Sequence, residues 1–165
     1  MLKDKLLSLF KPKKPAYRRF SDPLGNFELF YPESWKFDRD VAVVEGKYSI
    51  CFEGRQAHFT VAVDAALPEG FDFPAHAKKE LESPSSGIIA QIEKGRFLGM
   101  PSYSRQFRYE SGGKTYLGGG EMFFNGSAVF SLSWSAPEKN EAAQEILRHI
   151  LQSLVVRQGM RFAER

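Results

Sequence analysis

Large apolar residues alternate with small or polar ones along much of this chain, and the pattern is most regular over residues 127–136. Its apolar side holds Ala128, Phe130, Leu132 and Trp134, and its other side holds Val129 and four serines. Successive side chains of a β-strand point to opposite faces, so this period of two predicts a strand with one face in the core. Asn125-Gly126 comes just before it, and Asn-Gly between two such runs is a strong hairpin signal.

The same period of two predicts further strands upstream. In chain order they cover residues 27–31, 41–44, 48–53, 58–67, 88–93, 103–110 and 115–124. Turns that contain glycine separate several of these strands, at 45–47 and at 110–114, as hairpins require. In the strand at 58–67 we expect the core-facing side chains to be Phe59, Val61, Val63 and Ala65.

Two stretches show a helical period instead. The first covers 73–83 and has apolar residues spaced by four, at Phe73, Ala77 and Leu81. Pro74 stands where a helix can begin without losing a hydrogen bond. The second covers 138–155 and carries a wide apolar stripe. Because hairpins dominate and the helices do not alternate with the strands, we predict an α+β fold, in which helices flank a twisted, mainly antiparallel β-sheet.

Length and composition are those of one globular domain, with 165 residues of which 42% are hydrophobic. The 15 phenylalanines predict a core built largely on aromatic rings. Cys51 is the one cysteine, which excludes an internal disulfide and a cysteine-rich zinc site. The apolar run LLSLF near the N-terminus is shorter than a secretory signal needs, and no small-residue cleavage site follows it. We therefore expect the chain to be cytoplasmic.

Positive charge is concentrated at the N-terminus. Residues 1–19 carry seven basic side chains against one acidic side chain, a net +6, whereas residues 20–165 carry a net −3. The basic side chains are Lys3, Lys5, Lys11, Lys13, Lys14, Arg18 and Arg19. Pro12 and Pro15 mark a linker after a short amphipathic helix. We therefore divide the chain into a basic tail at 1–19, a domain at 20–156 and a C-terminal tail at 157–165.

Three interpretations of the basic tail stay open. It binds an anionic membrane surface, where each Lys or Arg near the lipid contributes about 1 kcal/mol. Alternatively, it contacts nucleic acid without sequence preference, the least favoured of the partners. Finally, it is a solubilising tail or a short helix folded back on the domain, which charge patterning favours.

No motif in the chain supplies reaction chemistry. Gly112-Gly113-Lys114-Thr115 imitates the end of a phosphate-binding loop, but Arg108 stands where the full motif needs a glycine, and a strand follows in place of a helix. Cys51 in a strand is more typical of a small buried residue than of a nucleophile. We therefore predict no catalytic residues and no cofactor.

The three histidines are scattered along the sequence. His76 with Glu80, and Glu145 with His149, are pairs at helical spacing, and His58 stands alone. Two ligands do not make a metal site, so we predict none.

Gly118, Gly119 and Gly120 lie in the middle of a predicted strand. Glycines there weaken a strand and usually mark a bulge or the close approach of another backbone. We expect a bulge or a strong bend. The alternative is a groove in which a partner's chain lies against bare sheet.

A basic aromatic surface is a further candidate, of the kind on which sheet proteins stack RNA bases. Its members would be Arg96, Arg105, Arg108, Tyr103, Phe107 and Tyr109. We favour core packing for these rings, because they stand at positions that the core also requires.

The domain opens on a motif that begins at residues 20–22 (FSD), continues over 25–32 (GNFELFYP) and ends at Trp35. Its glycine and asparagine allow a tight turn, its proline ends a strand, and its tryptophan can close the end of the core. In this motif, and in the layout of elements over 20–156, the chain resembles the PsbP-like superfamily, which includes the PsbP subunit of photosystem II and the Ran-binding Mog proteins. The resemblance implies an α-β-α sandwich that acts through protein contacts as an accessory factor.

We therefore expect a non-enzymatic, protein-binding module whose protein partner is unknown. One alternative is a peripheral membrane protein held at an anionic surface by residues 1–19. Another is a hydrolase or a small-ligand-binding domain whose site is assembled from distant residues, which a deep polar pocket with strongly shifted titratable groups would favour.

Overall fold

The structure, a computed structural model, describes residues 14–44, 46–82 and 92–157. Within these residues, seven strands form one large sheet. They are β3 (Lys36–Val44), β4 (Lys47–Glu53), β5 (His58–Asp64), β6 (Glu93–Phe97), β7 (Met100–Ser111), β8 (Lys114–Phe124) and β9 (Val129–Pro137). Their spatial order is β3-β4-β5-β9-β8-β7-β6, so two meanders meet where β9 pairs with β5.

A small sheet and two helices complete the described part of the fold. The small sheet consists of β1 (Tyr17–Ser21), β2 (Phe27–Pro32) and β10 (Val155–Val156), in the order β1-β2-β10. The helices are α1 (Phe73–Glu82) and α2 (Glu141–Ser153). Every strand pair in the described residues is antiparallel. The predicted α+β fold is therefore confirmed, although two sheets replace the single sheet that the sequence suggested.

The main core lies between one face of the large sheet and a layer made of the small sheet and α2. Five phenylalanines are fully buried, namely Phe27, Phe52, Phe59, Phe123 and Phe130. Burying such a side chain contributes about 1.5–3 kcal/mol to folding. Trp35 is also buried, and its indole lies against Gly54 in the turn between β4 and β5. The predicted aromatic core is confirmed.

A second, smaller core lies on the opposite face of the large sheet, under α1. Phe73 and Ala77 of the helix pack against Tyr103, Met122 and Val129 of the sheet. Neighbouring residues of one strand therefore serve different cores, as Met122 and Phe123 do in β8. With helices on both faces, the molecule has the expected α-β-α layering.

One side of β9 differs from its prediction. Val129 and Ser135 belong to the side that the sequence assigned to solvent, yet they are 2% and 1% exposed. Val129 is buried because α1 packs over it. Ser135 lies below the phenol of Tyr109, which reaches over from β7. The alternation along β9 therefore assigned its residues to the two faces correctly. It did not reveal that other elements cover the face of Val129 and Ser135.

The boundaries of several elements also differ from the prediction. Strand β5 ends at Asp64, and Ala65 is exposed. The predicted strand at 88–93 lies mostly outside the described residues, and β6 begins only at Glu93. Strand β1 begins at Tyr17, inside the stretch that the sequence assigned to the tail.

Helix α2 is shorter than the predicted 138–155. It begins at Glu141 because the side chain of Asn140 accepts a hydrogen bond from the backbone N–H of Ala143 at 3.0 Å. Such a cap typically contributes about 1 kcal/mol. Beyond Ser153 the chain is extended, and β10 pairs with β2.

The opening motif forms a turn that is held by a buried carboxylate. Asp22 is 5% exposed and accepts hydrogen bonds from the backbone N–H groups of Leu24 and Asn26 and from the phenol of Tyr48 in β4. The amide of Asn26 donates to the same phenol at 2.8 Å. Burial, followed by this contact with Asp22, raises the pKa of Tyr48. The motif therefore attaches the β1–β2 turn to the large sheet.

Candidate functional site

The side of the small sheet that faces away from the core exposes apolar side chains. In β2, Phe27, Leu29 and Tyr31 are buried, so the alternating positions point outward. We define the outer face as Tyr17, Arg19, Ser21, Glu28, Phe30 and Val155, which the register of the three strands places on one side. Phe30 is 43% and Val155 is 63% exposed. Two large apolar side chains thus share one small surface.

An ion pair lies beside these apolar side chains. The guanidinium of Arg19 donates to both carboxylate oxygens of Glu28. Its Nη2 lies 2.6 and 2.7 Å from the two oxygens, and its Nε lies 3.2 Å from Oε2. Both side chains are exposed, and the hydrogen bond that Arg19 donates to Glu28 raises the pKa of Arg19. The fork geometry fixes the direction of the guanidinium next to Phe30, its cross-strand neighbour.

Helix α2 supports the same sheet from its edge. The backbone N–H of Phe30 donates to the hydroxyl of Ser153 at 2.9 Å, so the end of α2 satisfies a donor at the edge of β2. Tyr17 packs against His149, with ring centroids 4.0 Å apart and ring planes tilted by 33°. Burial, and secondarily the charge of Glu145, raise the pKa of Tyr17. The outer face is therefore built on a sheet whose backbone is held by neighbouring elements.

The predicted basic surface lies only partly within the described residues. Lys3, Lys5, Lys11 and Lys13 lie outside them. Lys14, Arg18 and Arg19 are exposed, and Arg18 and Arg19 belong to β1. Arg19 is engaged by Glu28. Binding of the tail to an anionic surface stays a prediction.

The three glycines of β8 do not form a bulge, because the pairing of β8 with β7 and with β9 continues through them without a shift. Aromatic rings from the neighbouring strands lie in the space that side chains would occupy. The ring of Phe107 covers Gly118 on one face, and that of Trp134 covers Gly119 on the other. Gly120 faces Leu81 of α1. The partner groove stays a prediction, and a partner's chain would have to displace these side chains.

A hydrogen-bonded chain crosses the large sheet on the α1 side. The phenol of Tyr109 lies 2.9 Å from the hydroxyl of Ser135, which lies 3.1 Å from Nδ1 of His58. Gly118 carries no side chain, and Tyr109 reaches Ser135 across β8 beside it. Burial lowers the pKa of His58, against the opposing charge of Glu53. The Ser135 hydroxyl is buried between its two partners, so a substrate could reach it only by displacing one of them.

The candidate basic aromatic surface is not assembled. Arg105 is 8% exposed, Arg108 is paired with Glu138 at 2.9 Å, and Arg96 donates to the carbonyl of Gly99. The three arginines therefore have separate environments. Among the rings, Tyr103 is buried in the second core, as core packing predicts, whereas Phe107 and Tyr109 are half-buried.

The remaining candidate chemistry is dispersed over the described residues. Gly112-Gly113-Lys114-Thr115 forms a turn between β7 and β8 that continues into a strand. Among the residues that the structure describes, no three His, Cys, Asp or Glu side chains lie together in a way that could hold a metal ion. Within the same residues, no helix has both the length and the apolar character needed to cross a membrane.

Comparison with solved structures identifies the fold. The solution structure of the cyanobacterial PsbP protein CyanoP from Synechocystis sp. PCC 6803 matches with a TM-score of 0.60 at 14% identity, over 90% of this chain and 96% of that chain. A Bacteroides thetaiotaomicron VPI-5482 protein matches with a TM-score of 0.58 at 15% identity, over 85% of this chain but 48% of that chain. A Pseudomonas aeruginosa protein of unknown function, described as a putative regulator, matches with a TM-score of 0.50 at 13% identity, over 87% of this chain and 99% of that chain.

No family model and no curated protein matches this sequence. The structural likeness establishes the PsbP-like fold, and the resemblance seen in the opening motif is confirmed at that level. Sequence reasoning did not find the outer face. The sequence feature that could have revealed it is Phe30, a large apolar residue that stands at an outward position of β2, while the alternate residues of that strand point inward.

Proposed function

We propose that this protein is a non-enzymatic, cytoplasmic accessory module that binds a protein partner through the outer face of its small sheet. The observation that carries the proposal is the joint exposure of Phe30 and Val155 on one face of a sheet. Aromatic side chains at the centre of a polar surround are typical of interface residues on which binding energy is concentrated. Arg19 and Glu28 supply that polar surround.

The fold supports this proposal by analogy. A match at 14% identity carries no residue roles over to this chain. What supports the proposal is the packing of the small sheet. Its inner side lies against the main core, so the outer face is presented on a rigid scaffold, as a binding surface requires.

Affinity capture with matched surface variants tests the proposal. The full chain, Phe30→Ser and Val155→Ser are immobilised, and retained lysate proteins are quantified by mass spectrometry. Leu98→Ser is the control, because Leu98 is 46% exposed in the turn between β6 and β7. We expect at least one protein to be retained by the full chain and by Leu98→Ser, and to be reduced about tenfold or more by Phe30→Ser.

Two outcomes would contradict the proposal. In the first, Phe30→Ser and Leu98→Ser retain the same proteins in the same amounts. In the second, no protein is enriched on any of the folded variants. Circular dichroism of each variant ensures that the comparison concerns surfaces and not folding.

Attachment to an anionic membrane surface is a second candidate function, favoured by the net +6 of residues 1–19. Its test is sedimentation with phosphatidylserine-containing vesicles of the full chain and of residues 14–165. The shorter chain begins at residue 14 because β1 begins at Tyr17 and must be kept intact. Equal binding of the two chains would exclude residues 1–13 as the anchor, because Lys14, Arg18 and Arg19 remain in the shorter chain.

A further inference from the structure

A polar cavity of about 490 Å³ opens at one end of the large sheet, apart from the outer face. Three connections form it. They are the β4–β5 turn with Gln56, the β7–β8 turn with Gly113 to Thr115, and the β9–α2 connection from Pro137 to Glu141. The volume falls within the range of about 300–1,000 Å³ that is usual for small-molecule sites.

Two lysines, Lys114 and Lys139, line this cavity. Among the residues that the structure describes, neither is ion-paired, whereas the nearby Arg108 is paired with Glu138. An ammonium group carries three donors. The ammonium of Lys114 uses one of them on the side-chain oxygen of Gln56 at 3.0 Å, so donors remain for a ligand.

Gln56, which accepts the hydrogen bond from Lys114, has an unusual backbone conformation. Its φ is +60°, in the left-handed region that residues other than glycine seldom adopt. Such conformations persist where the surroundings enforce them, and they cluster at binding sites. The amide oxygen of Gln56 thereby accepts a hydrogen bond from the Lys114 ammonium at the mouth of the cavity, where both side chains are exposed.

The charge of the cavity is uneven. Glu141 also lines it, in the first turn of α2, and would repel an anion placed beside it. The side chain of Asn140 is already engaged in capping that helix. The lysines therefore carry the positive potential at the cavity. An anionic group is best accommodated on the Lys114 side.

We propose that this cavity binds a small molecule that carries a phosphate or carboxylate group, with Lys114 and Lys139 as its cationic contacts. The proposal is independent of the outer face and of any protein partner. It places the ligand where the three connections meet.

NMR titration of the full, nitrogen-15-labelled chain tests the proposal. Inorganic phosphate and citrate are added separately at constant ionic strength. We expect saturable shifts of the amide signals of Gly113, Thr115 and Asn140. A response to phosphate alone identifies a phosphate-bearing ligand, a response to citrate alone a carboxylate-bearing one, and a response to both an anion site that accepts either group.

Charge variants make the test specific. Lys114→Gln and Lys139→Gln should each weaken binding about fivefold, and Glu141→Gln should strengthen it, because the last change removes a repulsive charge. The control is Lys94→Gln in β6, which is exposed away from the cavity. Gln56→Gly should weaken binding without lowering the melting temperature, because glycine adopts a positive φ at no cost.

The proposal is overturned if the shifts fail to saturate or are scattered over lysines elsewhere on the surface. It is also overturned if Lys114→Gln and Lys94→Gln bind the anion equally well.

Discussion

At the scale of single residues, two missing side chains shape the centre of the large sheet. Gly118 and Gly119 follow one another in β8, so they face opposite sides, and an aromatic ring from a neighbouring strand occupies the space beside each of them. The glycines contribute no packing themselves, but they let Phe107 and Trp134 cover the backbone. Glycine is needed at these two positions because a side chain would take the space of the rings, and its conformational freedom is not needed.

Alanine substitutions test this packing role. A methyl group at Gly119 would overlap the Trp134 ring, and one at Gly118 would overlap the Phe107 ring and the carbonyl oxygen of Trp134. We expect each substitution to lower the free energy of unfolding by about 1–3 kcal/mol, as overpacking does. Urea denaturation measures the loss.

Gly120→Ala is the matched control in the same strand. The nearest atoms to an added methyl group there, the carbonyl oxygen of Leu132 and Cδ2 of Leu81, lie at 3.7 Å, an ordinary contact distance. Its stability should stay within about 0.5 kcal/mol of the natural protein. Similar losses at all three glycines would disprove the ring-packing account.

His58 should make stability depend on pH. Burial lowers its pKa in the folded protein, so the unfolded chain, with a pKa of about 6.5, binds more protons at mildly acidic pH. We expect the free energy of unfolding to fall as the pH drops below about 6.5, and His58→Gln to flatten that dependence. Denaturation between pH 5 and 7.5 measures both slopes. Equal slopes would show that His58 is not responsible.

At the scale of elements, the turn between β1 and β2 attaches one sheet to the other. Asp22 is the common acceptor, and Tyr48 is its partner on the large sheet. A buried carboxylate that accepts several hydrogen bonds forms a network whose members depend on one another. The motif that marks the start of the domain is therefore a connection between sheets.

Asp22→Ala should lower the free energy of unfolding by about 2–3 kcal/mol, because it leaves buried donors without an acceptor. Tyr48→Phe should cost less, since it removes a donor and leaves the turn bonds of Asp22 in place. Thermal denaturation measures both changes. Ser21→Ala, at an exposed neighbouring position, is the control and should change little. A loss for Ser21→Ala as large as that for Asp22→Ala would contradict the proposed network.

Local periodicity explains which elements the sequence could predict. Strands β5 and β9 and helix α1 repeat an apolar position every two or four residues, and that signal needs no knowledge of the partner. Strand β1 was missed because Tyr17–Ser21 carries two arginines and continues a basic run. Strand β10 was missed because its valines extend the apolar stripe of α2, and only pairing with β2 distinguishes them from helix.

The two candidate surfaces are formed by residues that are far apart in the sequence. The outer face requires that the small sheet be separate from the large one, which the alternation in β2 does not reveal. The cavity requires that three turns meet, and Gln56, Lys114 and Asn140 are far apart in sequence. From its side-chain type alone, Lys114 could not be predicted to line a cavity. Only the pairing order of the strands brings these residues together.

At the scale of the whole molecule, β9 holds the large sheet together. It pairs with β5 on one edge and with β8 on the other, and it contributes side chains to both cores. Strand β6 is the opposite case, because it is an edge strand whose first four residues are exposed. Stability should therefore be distributed unevenly over the sheet.

Hydrogen exchange should reveal this distribution. Amides of β5, β8 and β9 should exchange last, close to the rate set by global unfolding, and those of β6 and β10 should exchange first. Mass-spectrometric or NMR exchange at neutral pH measures the order. Protection of β6 equal to that of β9 would show that the sheet opens as a single unit.

The pairing of β9 with β5, which joins the two meanders, has a consequence during synthesis. Until β9 leaves the ribosome, β5 presents an open strand edge bordered by apolar residues and the main core cannot close, because α1, β6, β7 and β8 all lie between β5 and β9 in the sequence. A nascent chain of this protein is thus committed to a long interval in which it can pair with a foreign strand. Chaperones that shield such edges should matter more for its yield in cells than the stability of the finished molecule suggests.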